Sequence, residues 1–505
     1  MTVRDLLQAL FRATSPERQA VLSAWGRALD VPCRGVTHDS RLVQQGWVFV
    51  ALRGLKADGA EYAAQAIAAG AAAIVAERDA PPASTVPWVA VSDARRALAW
   101  LAAEFFGHPS REMRVVGITG TNGKTTTSYL VRSIYEEAGI RCGVMGTVMY
   151  GIGDREIAAT RTTPEAPELQ ALMRQMVHAD CGACVMEVSS HALALRRADA
   201  IEFAAGVFTN LTRDHLDFHI SMEEYFAAKR RLFEMLPPGA PAVVNIDDPR
   251  GATIVEAAQR PVTYAVSGAA DVTPGPLSLS LDGLEFDVRA PQGAMHVRSA
   301  LVGRPNVYNI LAAVAATAAL GVPLSAIERG IASLKGVPGR FERVSSSGDD
   351  VTVIVDYAHT DDALRNLLET ARPLARQHLV TVFGAGGERD RTKRPLMGMV
   401  AARLSDVVVI TSDNPRSEDP QRIIDEINLG AQQEIRQGGA EVLTIPDRRE
   451  AILHAVTRAS HGDLVLVAGK GHEKSQDIGG RVLPFDDVAV AREALQARRR
   501  RLRVG

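Results

Sequence analysis

Cysteine is scarce. Four residues in a chain of 505 cannot build the disulfide framework of a small secreted fold. Two of them form Cys181-Gly-Ala-Cys184, but a zinc site needs a second ligand pair, and no other close Cys/His pair is spaced to supply one. That segment runs into the apolar Val185-Met-Glu-Val188, so its thiols are expected to be buried and structural, with redox chemistry as the alternative. Long apolar runs are absent as well, and no stretch approaches the ~18 residues of a membrane span. The first residues, Met1-Thr-Val-Arg-Asp-Leu-Leu-Gln-Ala-Leu10, carry a charge pair inside an apolar pattern. They read as an amphipathic helix, not a signal peptide, and a cytoplasmic location is expected. An excess of one charge is also missing: the formal charge of −2 gives no reason to expect nucleic acid or an anionic membrane as partner. The one basic run, Arg498-Arg-Arg-Arg501 with Arg503, is expected to cap and solvate a last helix. No repeat and no low-complexity tract stands out. The remainder, 46% hydrophobic and 23% charged, describes a soluble globular chain long enough for three domains.

The most informative stretch is Gly120-Thr-Asn-Gly-Lys-Thr-Thr126, between the apolar run Val115-Val-Gly-Ile118 and a helix-like segment. A strand, a glycine turn and a helix place backbone N–H groups around an anion at a helix N-terminus. Lys124 can reach the β/γ-phosphates of a nucleotide, and the Thr125 hydroxyl is placed to ligate Mg²⁺. The strict P-loop asks for a glycine at the position of Ile118, so this is a shorter variant.

Around this loop, runs of β-formers alternate with helical patterns. Short strands at Trp47–Ala51, Ala73–Ala76 and Trp88–Val91 form a small α/β unit. From Val115 to about Gly336 strands and helices are expected to alternate again, with strands at Val115–Thr119, Ala183–Val188, Gly206–Thr209 and Ala242–Asn245. After Pro338-Gly-Arg340 a third set follows: Val351–Asp356, Val380–Phe383, Val407–Thr411 and Leu464–Ala468. The expected domains are 1–95, 96–337 and 338–505, all α/β, with ligand loops at the carboxyl ends of the strands.

Several clusters there could carry chemistry. Glu187 closes a strand beside the P-loop, where a Mg²⁺ ligand belongs. Phe208-Thr-Asn-Leu-Thr-Arg-Asp-His-Leu-Asp-Phe-His219 gathers candidate metal and substrate ligands. Lys229, on an apolar helix, reads from spacing alone as an ordinary surface lysine. Asp413-Asn-Pro-Arg416 makes a tight turn that could aim Arg416 at a ligand, and Arg389 sits on another loop of the same sheet edge. Two guanidinia so placed suggest bidentate recognition of a carboxylate. Gly469-Lys-Gly-His-Glu473 adds a carboxylate for a ligand ammonium.

These segments occur together with Met186-Glu-Val-Ser-Ser-His191, Arg304-Pro-Asn-Val-Tyr-Asn309, Pro338-Gly-Arg-Phe-Glu342 and Asp356-Tyr-Ala-His359, in one order along the chain. In this the sequence closely resembles the Mur ligases of peptidoglycan synthesis over essentially its full length. Thr37-His-Asp-Ser-Arg41 and Leu55-Lys-Ala-Asp-Gly59 resemble the uridine-binding domain of that family. The resemblance implies three α/β domains: a small N-terminal UDP-sugar-binding one, a central P-loop parallel-sheet ATPase domain, and a Rossmann-like C-terminal domain for the amino acid.

It also implies the chemistry. ATP would phosphorylate the D-glutamate γ-carboxylate of UDP-N-acetylmuramoyl-L-alanyl-D-glutamate, and meso-diaminopimelate would attack the acyl phosphate. Lys124, Glu187, His215 and Lys229 would be catalytic, with Mg²⁺ on Thr125, Glu187, His215 and a carbamylated Lys229. Here the resemblance overrides the surface reading of Lys229. ATP would lie on Gly120, Thr121, Asn122, Gly123, Lys124, Thr125 and Thr126, with Asn306 and His359, Arg340 on phosphate and Asp356 on ribose. The sugar-peptide would meet His38, Ser40, Thr162, Thr163, Ser189 and Arg197; Leu195 stands where some relatives carry a polar Gln. Diaminopimelate would meet Arg389, Asp413, Asn414, Pro415, Arg416, Gly469 and Glu473, the arginines holding its distal carboxylate and Glu473 its ammonium. The expected partners are these small molecules alone, with no nucleic acid and no membrane insertion, for a monomer. A lysine-adding ligase and a folylpolyglutamate-type ligase are the alternatives. The latter predicts no uridine domain, so the first ~95 residues discriminate.

Overall fold

The computed structural model describes residues 1–14, 26–54, 57–81, 84–346, 348–435 and 440–504. Leu55 and Lys56 of the first-domain signature lie outside them.

Short runs rich in Val, Ile and Ala, buried on both faces, form parallel strands. In the N-terminal unit Gly35–Thr37, Trp47–Ala51, Ala71–Ala76 and Trp88–Ala90 pair in parallel in chain order. Helices Val3–Thr14 and Ala94–Phe105 cover one face, with Leu6, Leu7 and Leu10 meeting Leu98 and Leu101 over Val48, Val50 and Val75. This core therefore runs on through Phe105, past residue 95.

The central sheet has eight strands. Arg114–Thr119 lies between Phe203–Phe208 and Ala183–Glu187; Ala242–Asn245 and Pro261–Tyr264 extend one side, and Cys142–Met145 begins the other. After strand Arg114–Thr119 the chain moves first to one side of it and then to the other, so the P-loop leaves the sheet where an open α/β fold places its ligand. Two departures from the expected alternation appear. Met149–Ile152 and Arg155–Ala158 close one edge as an antiparallel hairpin. Residues 273–299 form a separate antiparallel sheet, led by Gly283–Ala290 and Gly293–Ser299. Its cause is a period of two: Leu284, Phe286 and Val288 are buried, while Glu285, Asp287 and Arg289 between them face water.

In the C-terminal sheet Leu464–Ala468 lies between Thr352–Asp356 and Leu379–Phe383; Val407–Ile410 and Glu441–Thr444 follow in parallel, and Glu342–Arg343 adds an antiparallel edge. Helices bury both faces. Cys142, Cys181 and Cys184 are buried free thiols, each held above the usual thiol range by desolvation, so the CxxC is a packing feature. The basic run does more than solvate helix Asp487–Val504. Arg498 pairs with Asp350 at 2.6 Å and Arg499 with Asp349 at 2.5 Å, and Arg498 also donates to the Ala459 carbonyl after helix Arg448–Arg458.

Arg448 and Asp487 form a fully buried ion pair at 2.7 Å, and Arg448 also donates to the Ala468 carbonyl. Removing one partner strands the other charge in the core. Arg448→Met is expected to lower stability by about 3–5 kcal/mol, read as a fall in the denaturant midpoint.

Candidate active site

The P-loop is shaped by two glycines. Gly120 (φ 143°) and Gly123 (φ 88°) turn the chain from strand Arg114–Thr119 into helix Lys124–Glu137. A Cβ at Gly120 would stand 1.8 Å from Thr209 Oγ1, and one at Gly123 would stand 2.4 Å from Asn309 Oδ1. The loop is stitched to the end of the neighbouring strand: Thr121 N–H donates to Asn210 O at 2.8 Å, and Asn122 N–H to Asn210 Oδ1 at 2.9 Å. Lys124 Nζ donates to the carbonyls of Gly120 (3.0 Å) and Thr121 (2.8 Å). Arg340 arrives from the third domain, stacks 4.6 Å from the Tyr357 ring and donates to Thr125 Oγ1 at 3.0 Å.

Lys229, on helix Met222–Glu234, is buried. Spacing alone puts it on the surface; packing puts its ammonium on the Gly120 carbonyl at 2.6 Å and 4.4 Å from the Tyr225 ring centroid. Desolvation, with the Lys124 charge adding to it, pushes its pKa well below the ordinary range. The His191 ring lies 4.8 Å from that of His215 and 5.5 Å from that of His219. His215 has a left-handed backbone (φ 55°). Desolvation lowers its pKa, against the pull of Asp214. Burial opposes ionisation of Asp214, yet His215, His359 and Lys393 hold its carboxyl below the usual range.

On the other side of the P-loop, Glu187 accepts from Thr147 N–H (2.8 Å) and Thr147 Oγ1 (2.9 Å). Thr162 Oγ1 meets Thr147 Oγ1 at 3.1 Å, and Thr163 Oγ1 donates to Glu187 O at 2.8 Å and accepts from Ser189 N–H at 3.1 Å. Arg197 donates to Thr163 O (3.0 Å) and pairs with Glu165 at 2.7 Å. Glu165 also acts on His38 of the first domain, whose pKa burial nonetheless lowers.

At the C-terminal sheet, Arg389 and Arg416 flank Gly386: a Cβ there would lie 3.7 Å from Arg389 Cγ and 3.2 Å from Arg416 Nη1. Arg416 has a left-handed backbone (φ 52°). Among the described residues neither guanidinium has a carboxylate within ion-pair distance. Asn414 donates to Glu473 Oε2 at 2.9 Å. The two sheets' loops are tied by Asn122 to Asp362 at 3.2 Å and by Arg213 to Thr392 at 2.6 Å.

Residues 118–317 match the Mur ligase middle domain, 339–471 the Mur ligase glutamate ligase domain and 32–106 the Mur ligase family catalytic domain. The UDP-N-acetylmuramoyl-L-alanyl-D-glutamate–2,6-diaminopimelate ligase of Solibacter usitatus is 47% identical over 465 residues, 92% of this chain and 93% of the relative. The chain belongs to the Mur ligase family. The enzyme of the same name from Gloeobacter violaceus is 47% identical over 473 residues, 94% of this chain and 96% of its own. A solved ligase of that name matches with a TM-score of 0.68 at 35% identity over 93% of this chain and 96% of its own. The Mycobacterium tuberculosis folylpolyglutamate synthase complexed with ADP and AMPPCP, at 18% identity and a TM-score of 0.60, shares the fold over 78% of this chain and 93% of its own.

Within this Mur ligase the expected residues fall into three groups. Gly120–Thr126, Arg340, Lys229 and His215 gather at the central loop. Asn306 reaches it through Asn309, whose Nδ2 donates to Asn306 Oδ1 at 2.9 Å. Asp356 spends its two oxygens on the Phe341 (2.7 Å) and Ala358 (2.8 Å) amides, and His359 Nδ1 meets the Tyr357 carbonyl at 3.0 Å. Glu187, Thr162, Thr163, Ser189 and Arg197 form one hydrogen-bonded network, while Ser40 turns to Gln65 Oε1 at 3.1 Å. Arg389, Asp413, Asn414, Pro415, Arg416, Gly469 and Glu473 share the C-terminal loops. Sequence reasoning missed Asp214, Asn309, Lys470, Thr147 and Lys393. The first three sit inside segments already singled out; Thr147 and Lys393, which donates to His359 O at 2.8 Å, carry no local signal. Among the described residues no three His, Cys, Asp or Glu side chains cluster to hold a metal ion. Thr125 and Glu187 do offer hard oxygens beside the P-loop, and Mg²⁺ needs only one or two such ligands besides phosphate and water.

Gly120→Ala is expected to lose at least ~1–2 kcal/mol of stability from the forced left-handed backbone and to weaken ATP binding by distorting the loop against Thr209. An ATP titration by calorimetry unchanged from wild type would refute this account of the loop.

Proposed function

We propose that this chain is an ATP-dependent ligase that joins meso-2,6-diaminopimelate to the D-glutamate γ-carboxylate of UDP-N-acetylmuramoyl-L-alanyl-D-glutamate, acting as a cytoplasmic monomer in peptidoglycan precursor synthesis. The observation that carries the amino-acid choice is the pair Arg389 and Arg416 around Gly386, free of carboxylate partners among the described residues, with Glu473 on an adjoining loop. Diaminopimelate has a distal carboxylate for the arginines and a distal ammonium for Glu473; lysine has only the second. A site built around an anion rejects the analogue lacking it by ~10⁴ in typical cases.

The reaction follows from charge. A γ-carboxylate oxygen attacks the γ-phosphorus of ATP, the bond to ADP breaks, and the diaminopimelate amine adds to the acyl carbon. The tetrahedral intermediate then expels phosphate, and the nitrogen loses a proton. Two anions must approach, so positive charge does most of the work. Lys124 and the helix N-terminus meet the phosphates, and Arg340 lies within reach beside Thr125. Mg²⁺ held by Thr125 and Glu187 would neutralise charge on the transferring phosphoryl group.

Lys229 belongs in this scheme as a carbamate. Its depressed pKa favours the neutral amine, whose lone pair can attack CO₂; loss of one proton leaves an N-carboxylate. That places an anion beside Lys124 where a protonated lysine would be a second cation, and with the His215 imidazole it could hold a second Mg²⁺.

Ligation of the UDP-sugar dipeptide, followed by ADP release, is expected with diaminopimelate and to be ~10⁴-fold less efficient in kcat/KM with lysine; comparable efficiencies would sink the clamp assignment. Lys229→Ala is expected to lose activity and to regain part of it with added short-chain carboxylates. Full activity without them would exclude the carbamate.

A further inference from the structure

Lys470 is fully buried beside the amino-acid loops. Its Nζ lies 2.9 Å from Asn414 Oδ1, 3.1 Å from Glu473 Oε2 and 3.4 Å from Asp413 Oδ1. Three acceptors meet the three N–H bonds of one ammonium. The turn that places them is tight: Glu473 N–H donates to Lys470 O at 2.9 Å, and Gly471 between them has φ 52° with no room for a Cβ against Tyr357.

The bonds are directional. Asn414 Oδ1 accepts from Lys470 and from Asp477 N–H at 3.0 Å, so its amide nitrogen is turned to Glu473 Oε2 at 2.9 Å. Glu473 Oε2 thereby takes both Lys470 and Asn414, which leaves Oε1 of this half-buried carboxylate for a ligand. Charge points the same way. Asp413, Glu473 and Asp487 bring three negative charges against the two of Lys470 and Arg448. The cluster is one positive charge short of neutral, beside two arginines that lack a carboxylate.

We propose that Lys470 is a positioning residue for the amino-acid substrate, its buried ammonium fixing Asn414 and Glu473 so that one Glu473 oxygen meets the substrate's distal ammonium. This rests on the ligase reading above. Without Lys470 the Asn414 amide is free to flip and two carboxylates face each other unneutralised, so the substrate ammonium meets a disordered, mispaired acceptor.

The test is steady-state ligation by full-length enzyme carrying Lys470→Met, Glu473→Gln or both. Lys470→Met is expected to raise the diaminopimelate KM by about 10-fold or more, with the KM values for ATP and UDP-sugar dipeptide within about 2-fold of wild type. The double variant is expected to be no worse than the poorer single variant, because both changes remove one interaction. An unchanged diaminopimelate KM, equal rises in all three KM values, or additive losses would overturn the proposal. Should thermal unfolding show that Lys470→Met fails to fold, Lys470→Gln, which keeps a donor for Asn414 and removes the charge, is read by the same ratios. Should wild-type enzyme ligate a different amino acid, the substrate assignment falls, and the same ratios measured with that amino acid still decide the role of Lys470.

Discussion

Two lysine ammonium groups converge on the carbonyl of Gly120, Lys124 from the P-loop helix and Lys229 from helix Met222–Glu234. Like charges this close, one of them buried, are tolerated only if something removes or balances a charge. Much of the surrounding arrangement serves that end. Asp214 acts on both lysines, and burial drives Lys229 toward its neutral form. Around it His191, His215, His219 and Tyr225 pack ring against ring. Such a centre attracts an anion, and a polyphosphate at the helix N-terminus or a carboxylate on Lys229 would each relieve it.

The three domains distribute the remaining work. The parallel strands of the central and third sheets end in loops that meet at one another, through Arg340 to Thr125 and Asn122 to Asp362. Arg340 and Asp362 therefore make the nucleotide loop sensitive to where the third domain stands. In that domain buried charge is the organising device. Arg448 with Asp487, and Lys470 with Asp413 and Glu473, stand at the carboxyl ends of strands Leu464–Ala468 and Val407–Ile410. Both cations meet several oxygen acceptors, which a low-dielectric site demands.

The central and C-terminal strands were legible because continuous Val/Ile/Leu runs have few other stable fates in an α/β chain. The antiparallel sheet over residues 273–299 was equally present in the sequence, in the alternation of Leu284, Phe286 and Val288 with charged neighbours. It was passed over because the strand–helix rhythm on either side invites continuation. Lys229 failed for a different reason. Its helical spacing is that of a surface lysine, and only the resemblance to the Mur ligases set that reading aside. Burial on the Gly120 carbonyl arises from a contact 109 positions away in sequence, which no local pattern encodes.

The sequence by itself determined the parts with short-range causes: the glycine turn into a helix, the buried strands, the loop arginines and the chain order that identifies the family. Tertiary structure alone decided how these parts meet. Whether Thr147 holds Glu187, whether Arg389 and Arg416 flank one glycine, and whether Lys470 is a spare cation or a satisfied buried one depend on strands brought together from distant stretches of chain. Hydrogen bonds and ion pairs act over a few ångströms, so their partners are set by folding rather than by neighbourhood along the chain.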